Sequence, residues 1–135
     1  MAIRRVTPQE AKTLMDEGYI YVDVRSIPEF EKGHPAGAYN VPLLHFGPAG
    51  MSPNPEFTAV MEQRFAKDSK LIIGCKMGGR SAQASQRLEA MGYTNVVDQM
   101  GGFEGQPGNP GWSPVGLPVA TAAPADHTYD GLKAK

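Results

Sequence analysis

Only one cysteine occurs in these 135 residues. No internal disulfide can form, and any thiol chemistry rests on a single side chain. Such scarcity suits a reducing compartment, so a cytoplasmic location is the expectation. Histidine is also scarce: three residues, well separated, make no metal-ligand spacing with one cysteine. Neither a metal nor an organic cofactor is expected. No run of about 18 apolar residues exists, which excludes a helix that spans a membrane. Met1-Ala2-Ile3-Arg4-Arg5-Val6 has charge without an apolar stretch behind it, so no signal peptide is expected. Charge of one sign is missing too. Thirteen Lys and Arg face fourteen Asp and Glu, a formal net charge of −1, which leaves no electrostatic footprint for nucleic acid or anionic lipid. There is no internal repeat.

What is present reads as one ordinary globular domain. Hydrophobic residues make up 41% and charged residues 20% of the chain, enough for one sizeable core. The domain is expected over 1–119, with 120–135 as a flexible tail of small residues. Ile3 to Val6 reads as a short strand. Thr7-Pro8-Gln9-Glu10 announces a helix, with Thr7 as N-cap, Pro8 at the first helical position and Glu10 closing a capping box. Ala11, Leu14 and Met15 share its inner face, and Gly18 stops it. Tyr19 to Val24 reads as a strand, and Ser26-Ile27-Pro28-Glu29 as a second capping box. A short strand is expected near Tyr39 to Val41. Residues 47–55, dense in Gly and Pro, read as irregular. A helix follows Asn54-Pro55-Glu56, with Phe57, Val60, Met61 and Phe65 inward. Leu71 to Gly74 is a strand and Ser81 to Met91 a helix, with Ala84, Leu88 and Met91 inward. Asn95 to Val97 is a last strand. Strands alternating with helices imply an α/β fold with a parallel sheet covered on both faces. Ligands of such sheets sit beyond the carboxyl ends of the strands. Asp23-Val24-Arg25 and Cys75 both lie at such ends.

The cysteine opens the loop Cys75-Lys76-Met77-Gly78-Gly79-Arg80-Ser81. Gly78 and Gly79 permit backbone angles that let N–H groups turn inward as an anion-binding nest. The following helix adds its dipole and its unpaired N–H groups, and Lys76 and Arg80 add positive charge. Such surroundings favour a thiolate, the nucleophilic form of cysteine. Cys75 is therefore the candidate nucleophile.

With that loop in view, the sequence resembles the rhodanese family. The matching residues are Asp23-Val24-Arg25, Glu29-Phe30, Gly33-His34, Gly37-Ala38 and Asn40-Val41-Pro42. The Cys75 loop follows, then Gly92-Tyr93, Val96-Val97, Gly101-Gly102-Phe103 and Gly116-Leu117-Pro118. The single-domain thiosulfate sulfurtransferases of the plant senescence-associated type also share Gly50-Met51-Ser52 and Asn54-Pro55. The resemblance implies a central five-stranded parallel sheet flanked by helices. It also implies a sulfurtransferase that carries the sulfane sulfur of thiosulfate as a persulfide on Cys75 to cyanide or a thiol acceptor. Lys76, Met77, Gly78, Gly79, Arg80 and Ser81 would bind the substrate. The partners would be a small anionic sulfur donor and a thiol or protein acceptor, and a monomer fits these features. Two departures stand out. Gly105-Gln106 occupy the place of the tryptophan usual behind the Gly-Gly pair, and Trp112 follows an insertion over 105–111. Met77 stands where larger two-domain members often carry a basic residue.

Related loops in the same fold serve phosphatases and arsenate reductases, with the spacing Cys-x5-Arg. Here Cys75 to Arg80 is Cys-x4-Arg. The shorter loop leaves room for one extra sulfur rather than a tetrahedral oxyanion. A sulfur-relay module that hands its persulfide to a partner protein is a further reading, and a regulatory domain without chemistry is opposed by the intact cysteine. Among supporting residues, Arg25 and Glu29, four apart, are expected to pair with each other and brace the crevice. Asp23 is expected to bond to loop amides or to Arg80. His34, ahead of Pro35, reads as structural. His45 is placed at the mouth of the site and His127 in the tail.

Overall fold

A computed structural model of the protein describes residues 3–48 and 50–133. Its centre is a parallel five-stranded sheet of β1 (Arg4–Val6), β2 (Ile20–Asp23), β3 (Tyr39–Asn40), β4 (Lys70–Gly74) and β5 (Asn95–Gln99). Their spatial order is β1-β5-β4-β2-β3, with every neighbouring pair parallel. The helices are α1 (Pro8–Asp16), α2 (Ile27–Lys32), α3 (Phe57–Arg64), α4 (Gly79–Ala90) and α5 (Tyr129–Lys133). Among the described residues no helix is long and apolar enough to cross a membrane.

Local signals account for several of these boundaries. Thr7 and Glu10 form a reciprocal cap on α1: the Thr7 amide donates to Glu10 Oε1 at 2.8 Å, and the Glu10 amide to Thr7 Oγ1 at 3.1 Å. Leu71, Ile72 and Ile73 of β4 are fully buried, as a strand in the middle of a two-sided parallel sheet requires. Side chains alternate between two cores. Val22, Leu71, Ile73 and Val96 meet α3, α4 and α5 through Val60, Met61, Leu88 and Leu132. Tyr21, Ile72 and Val97 meet Ala11, Leu14, Phe30 and Trp112 on the other face.

Two expectations change, and the insertion takes a definite form. Residues 47–55 are not irregular throughout: Leu44–Gly47 pairs antiparallel with Gly50–Pro53. Gly and Pro mark the turn of a hairpin, with Gly50 at φ 100°, while the flanking residues pair. The insertion over 105–111 is a second small hairpin, Gly105–Gln106 against Asn109–Pro110. It returns the chain so that Trp112, fully buried, stands edge-on to Tyr21 at 5.6 Å and donates from Nε1 to the Pro118 carbonyl at 2.7 Å.

The second change concerns the expected flexible tail over 120–135, which is corrected for residues 120–133. Val119–Ala120 pairs with His34–Pro35, a 3₁₀ turn covers Ala125–His127, and α5 follows. Tyr129 and Leu132, three apart and thus on one helical face, are 2% and 4% exposed. Arg64 Nε donates to the Leu132 carbonyl at 2.7 Å. Two large apolar side chains suffice to dock a segment otherwise made of small residues. Ala134 and Lys135 lie outside the described residues.

Candidate active site

Cys75 follows β4, the middle strand of the sheet, at its carboxyl end. Asp23, at the end of β2, is the register partner of Gly74, and the Val24 amide donates to the Gly74 carbonyl at 2.9 Å. Parallel pairing thus brings the Asp23-Val24-Arg25 segment beside the cysteine loop. Gly74 itself is required: a Cβ there would stand 1.8 Å from the Tyr21 hydroxyl.

The cysteine is 2% exposed and touches the first core. Its Sγ accepts a hydrogen bond from the Gly78 amide at 3.0 Å. Gly78 is the N-cap of α4 and sits at φ 118°, a conformation open to glycine and strained for other residues. Sequence reasoning places amides from Lys76 to Ser81 around the sulfur; among the described residues, the Gly78 amide is the one within hydrogen-bonding geometry. The helix begins at Gly79, two residues earlier than expected. The N–H groups of Gly79, Arg80 and Ser81 are therefore those of a first helical turn, aligned along its axis, rather than curled one by one around Sγ. They direct the positive end of the helix dipole toward the loop.

The charged residues pair differently from the expectation, and the correction is specific. Arg25 does not pair with Glu29. It pairs with Asp23, with Nη2 2.8 Å from Oδ2 and Nε 3.0 Å from both carboxylate oxygens. Its Nη2 also donates to the Gly33 carbonyl at 2.6 Å, and its guanidinium lies 4.5 Å above the Phe103 ring. Buried on all sides, Arg25 takes the nearest buried carboxylate. Asp23 therefore supports Arg25, and bonds neither to the cysteine loop amides nor to Arg80 among the described contacts. Glu29 instead receives Arg80 in a two-pronged bond, 2.6 Å to Oε1 and 3.0 Å to Oε2, the geometry guanidinium and carboxylate favour. Ser26 donates to the same Oε1 from its amide (3.0 Å) and its hydroxyl (2.8 Å). Partial burial pushes the Glu29 carboxyl up, but the bonds from Arg80 and Ser26 outweigh it and bring it down to about 2.

Lys76 is the more exposed cation of the loop, with its Nζ 3.9 Å from Glu104 Oε1. Met77, beside it, is 52% exposed. A cavity of about 270 Å³, lined by Arg25, Glu29, Lys32, Lys76, Phe103 and Glu104, opens at this side of the loop. The Gly-Gly pair, Gly101-Gly102, holds the loop from outside. The Phe103 amide donates to the Cys75 carbonyl at 2.6 Å and the Glu104 amide to the Lys76 carbonyl at 2.9 Å. A Cβ on Gly102 would stand 2.4 Å from the Cys75 carbonyl oxygen.

His34 is buried, stacked on Phe30 at 3.8 Å, with Nδ1 2.8 Å from the Phe30 carbonyl. His45 stands 5.7 Å from the Tyr129 ring, and His127 stacks on Tyr39 at 3.7 Å. Among the described residues no three His, Cys, Asp or Glu side chains gather as metal ligands do.

Sequence reasoning missed Asp98 and Gln99, both buried. The Ser81 hydroxyl donates to Asp98 Oδ1 at 2.6 Å and lies 3.1 Å from the Gly78 carbonyl. Burial raises the Asp98 carboxyl above the usual range, against the hydrogen bonds from Ser81 and Arg5. The signal was two polar residues directly after Val96-Val97, read as a strand end when the strand continues through them.

A lone cysteine thus stands at the end of the middle strand, met by a helix N-terminus through a Cys-x4-Arg loop. Comparison with known proteins gives the family. The Rhodanese-like domain family matches residues 7–106, and the chain belongs to that family of sulfurtransferases. It is 40% identical over 109 residues to thiosulfate sulfurtransferase 16, chloroplastic, of Arabidopsis thaliana, covering 81% of this chain and 86% of that protein. It is 42% identical over 93 residues to the senescence-associated protein DIN1 of Raphanus sativus, covering 69% of this chain and 51% of that protein. Among solved structures, the Rv0390 protein of M. tuberculosis superposes with a TM-score of 0.76 at 26% identity, over 90% of this chain and all of that one.

Proposed function

We propose that the protein moves the sulfane sulfur of thiosulfate, through a persulfide on Cys75, to a nucleophilic acceptor. The observation that carries this reading is the Gly78 amide bonded to Cys75 Sγ at the N-terminus of α4. A donor and a helix dipole already stand where a sulfur anion is to be held. In the first half-reaction the Cys75 thiolate attacks the outer sulfur of thiosulfate. A sulfur–sulfur bond forms on Cys75, the one within thiosulfate breaks, and sulfite leaves with the electron pair. In the second, cyanide or a thiolate attacks the outer persulfide sulfur. Thiocyanate or a new persulfide departs and the Cys75 thiolate returns. The six-residue span from Cys75 to Arg80 supports one extra sulfur over a phosphate or arsenate.

Lys76 draws the anionic donor toward the loop, and Arg80, tied to Glu29, maintains the loop's shape and adds to its field. Thiosulfate sulfurtransferase 16 of Arabidopsis thaliana, by its name, supports the choice of donor. A lone cysteine suits a reducing compartment, the cytoplasm. The exposed Met77 beside the cysteine favours a second reading of the acceptor, a protein that docks on the loop and receives the sulfur by relay.

Mass spectrometry after thiosulfate treatment tests the proposal. The expected result is a gain of one sulfur, about 32 Da, absent in Cys75→Ser and removed by cyanide. A wild-type protein that never gains that mass overturns it. Sulfur that cyanide removes slowly and a protein thiol removes fast selects the relay.

A further inference from the structure

Two buried polar side chains stand side by side at the end of β5, and sulfur transfer itself uses neither. Asp98 and Gln99 are 1% and 0% exposed. As successive strand residues they point to opposite faces of the sheet. On one face, Asp98 accepts from the Ser81 hydroxyl through Oδ1 at 2.6 Å and from Arg5 Nε through Oδ2 at 3.2 Å. Ser81 Oγ is in turn 3.1 Å from the carbonyl of Gly78, the residue whose amide reaches Cys75 Sγ. On the other face, Gln99 Oε1 accepts from the Tyr21 hydroxyl. Gln99 Nε2 donates to the carbonyls of Met100 at 2.7 Å and Gly102 at 2.9 Å. Gly102 leads directly into the Phe103 and Glu104 amides that bind the carbonyls of Cys75 and Lys76.

We propose that Asp98 and Gln99 are positioning residues for the cysteine loop, one for each of its legs. Gln99 holds the leg at Cys75 and Lys76 through Gly102. Asp98 fixes Ser81, in the first turn of α4 three residues after Gly78, and with it the helix start that carries the Gly78 amide. Burying a carboxylate and an amide is unfavourable where aliphatic side chains would fill the same space, as Val96 and Val97 do one step earlier on the strand. What the polar pair adds is direction: the bond from Gln99 sets where Gly102 stands, and the bond to Asp98 sets where Ser81 and the start of α4 stand. Placing the Gly78 donor at a sulfur anion is sensitive to small displacements. The raised Asp98 carboxyl fits a group kept in an unfavourable place for the bond it makes. The role in sulfur transfer rests on the function proposed above; the anchoring itself does not.

Amide hydrogen exchange by nitrogen-15 NMR, together with sulfur uptake at saturating thiosulfate, tests this. In Asp98→Ala the Gly78 amide is expected to exchange about ten-fold faster while that of Phe103 holds. In Gln99→Leu the pattern reverses. Both variants are expected to lose about ten-fold in kcat, with KM for thiosulfate within about two-fold. Asp98→Asn keeps an acceptor oxygen for Ser81 and is expected to restore the Gly78 amide and most of the rate. Should Asp98→Ala fail to fold, Ser81→Ala cuts the same link and is read by amide exchange alone. A general loss of stability speeds both amides together in either variant; that result, or no change in either amide, overturns the proposal. If the crossed exchange pattern appears while the wild-type protein takes up no sulfur, the anchoring stands and the sulfur-transfer reading falls.

Discussion

Arg80 places both terminal nitrogens on the carboxylate of Glu29, at 2.6 and 3.0 Å, across 51 residues of sequence. The pair links α2 to the first turn of α4 and so braces the loop from the side. It is partly shielded, with side-chain exposures of 17% and 22%. Glu29→Gln is expected to cost about 1–2 kcal/mol at neutral pH, between an exposed pair and a buried one. The cost is set by pH in a definite sense. A carboxyl brought down to about 2 in the folded protein, against an ordinary 4.5, contributes its stability in full above the ordinary value. That contribution is lost as pH falls toward the folded one. Thermal melts of wild type and Glu29→Gln are therefore expected to differ most above about pH 4.5 and to converge as pH falls from there toward about 2. A difference that stays constant into acid would show that the bond is not an ion pair in solution.

Lys76 is assigned the approach of the donor because its ammonium is exposed beside the loop and only loosely met by Glu104. Lys76→Ala is expected to raise KM for thiosulfate about three-fold with little change in kcat, and to weaken the dependence of KM on salt. Steady-state kinetics at two ionic strengths reads this directly. An unchanged KM in both buffers removes the role from Lys76.

Gly102 and Gly92 both have positive φ, 60° and 103°, but only Gly102 is crowded. Its missing Cβ would meet the carbonyls of Cys75 and Lys76 within 2.6 Å, whereas among the described residues nothing lies within 4 Å at Gly92. Gly92→Ala is expected to cost about 1 kcal/mol from backbone strain. Gly102→Ala adds a steric clash with backbone and is expected to cost about 3 kcal/mol or more, with loss of sulfur uptake. Equal shifts in melting temperature for the two variants would show that the loop has room to move.

Leu132 tests whether the C-terminal segment is part of the folded unit. At 4% exposure within the first core, Leu132→Ala is expected to cost about 2–4 kcal/mol, seen as a lower midpoint in denaturant. A loose segment would leave the midpoint unchanged.

Much of the fold was legible because its signals are local. Thr7 and Glu10 cap a helix within one turn. Leu71, Ile72 and Ile73 announce a buried strand. The hairpin over 44–53 was not legible, because Gly47 and Gly50 mark its turn while pairing partners such as Phe46 and Met51 carry no alternating pattern. The docking of Tyr129 and Leu132 was hidden in a stretch of small residues, where two apolar side chains give too short a period to read. At the candidate site, the contact between the Gly78 amide and Cys75 Sγ was legible because loop geometry follows from residues next to one another. Arg25 and Glu29, by contrast, were paired by their spacing of four, and each took another partner.

The sequence alone determined the candidate nucleophile, the turn that surrounds it, and the alternation of strands and helices. Each depends on residues within a few positions of one another, where backbone geometry leaves few choices. The tertiary structure decided which charges meet and which polar groups are buried: Asp23 with Arg25, Glu29 with Arg80, Asp98 with Ser81 and Arg5. Such pairings depend on distances of a few ångströms between segments far apart in the chain. Those distances exist only once the sheet is assembled and burial makes every unpaired charge unfavourable.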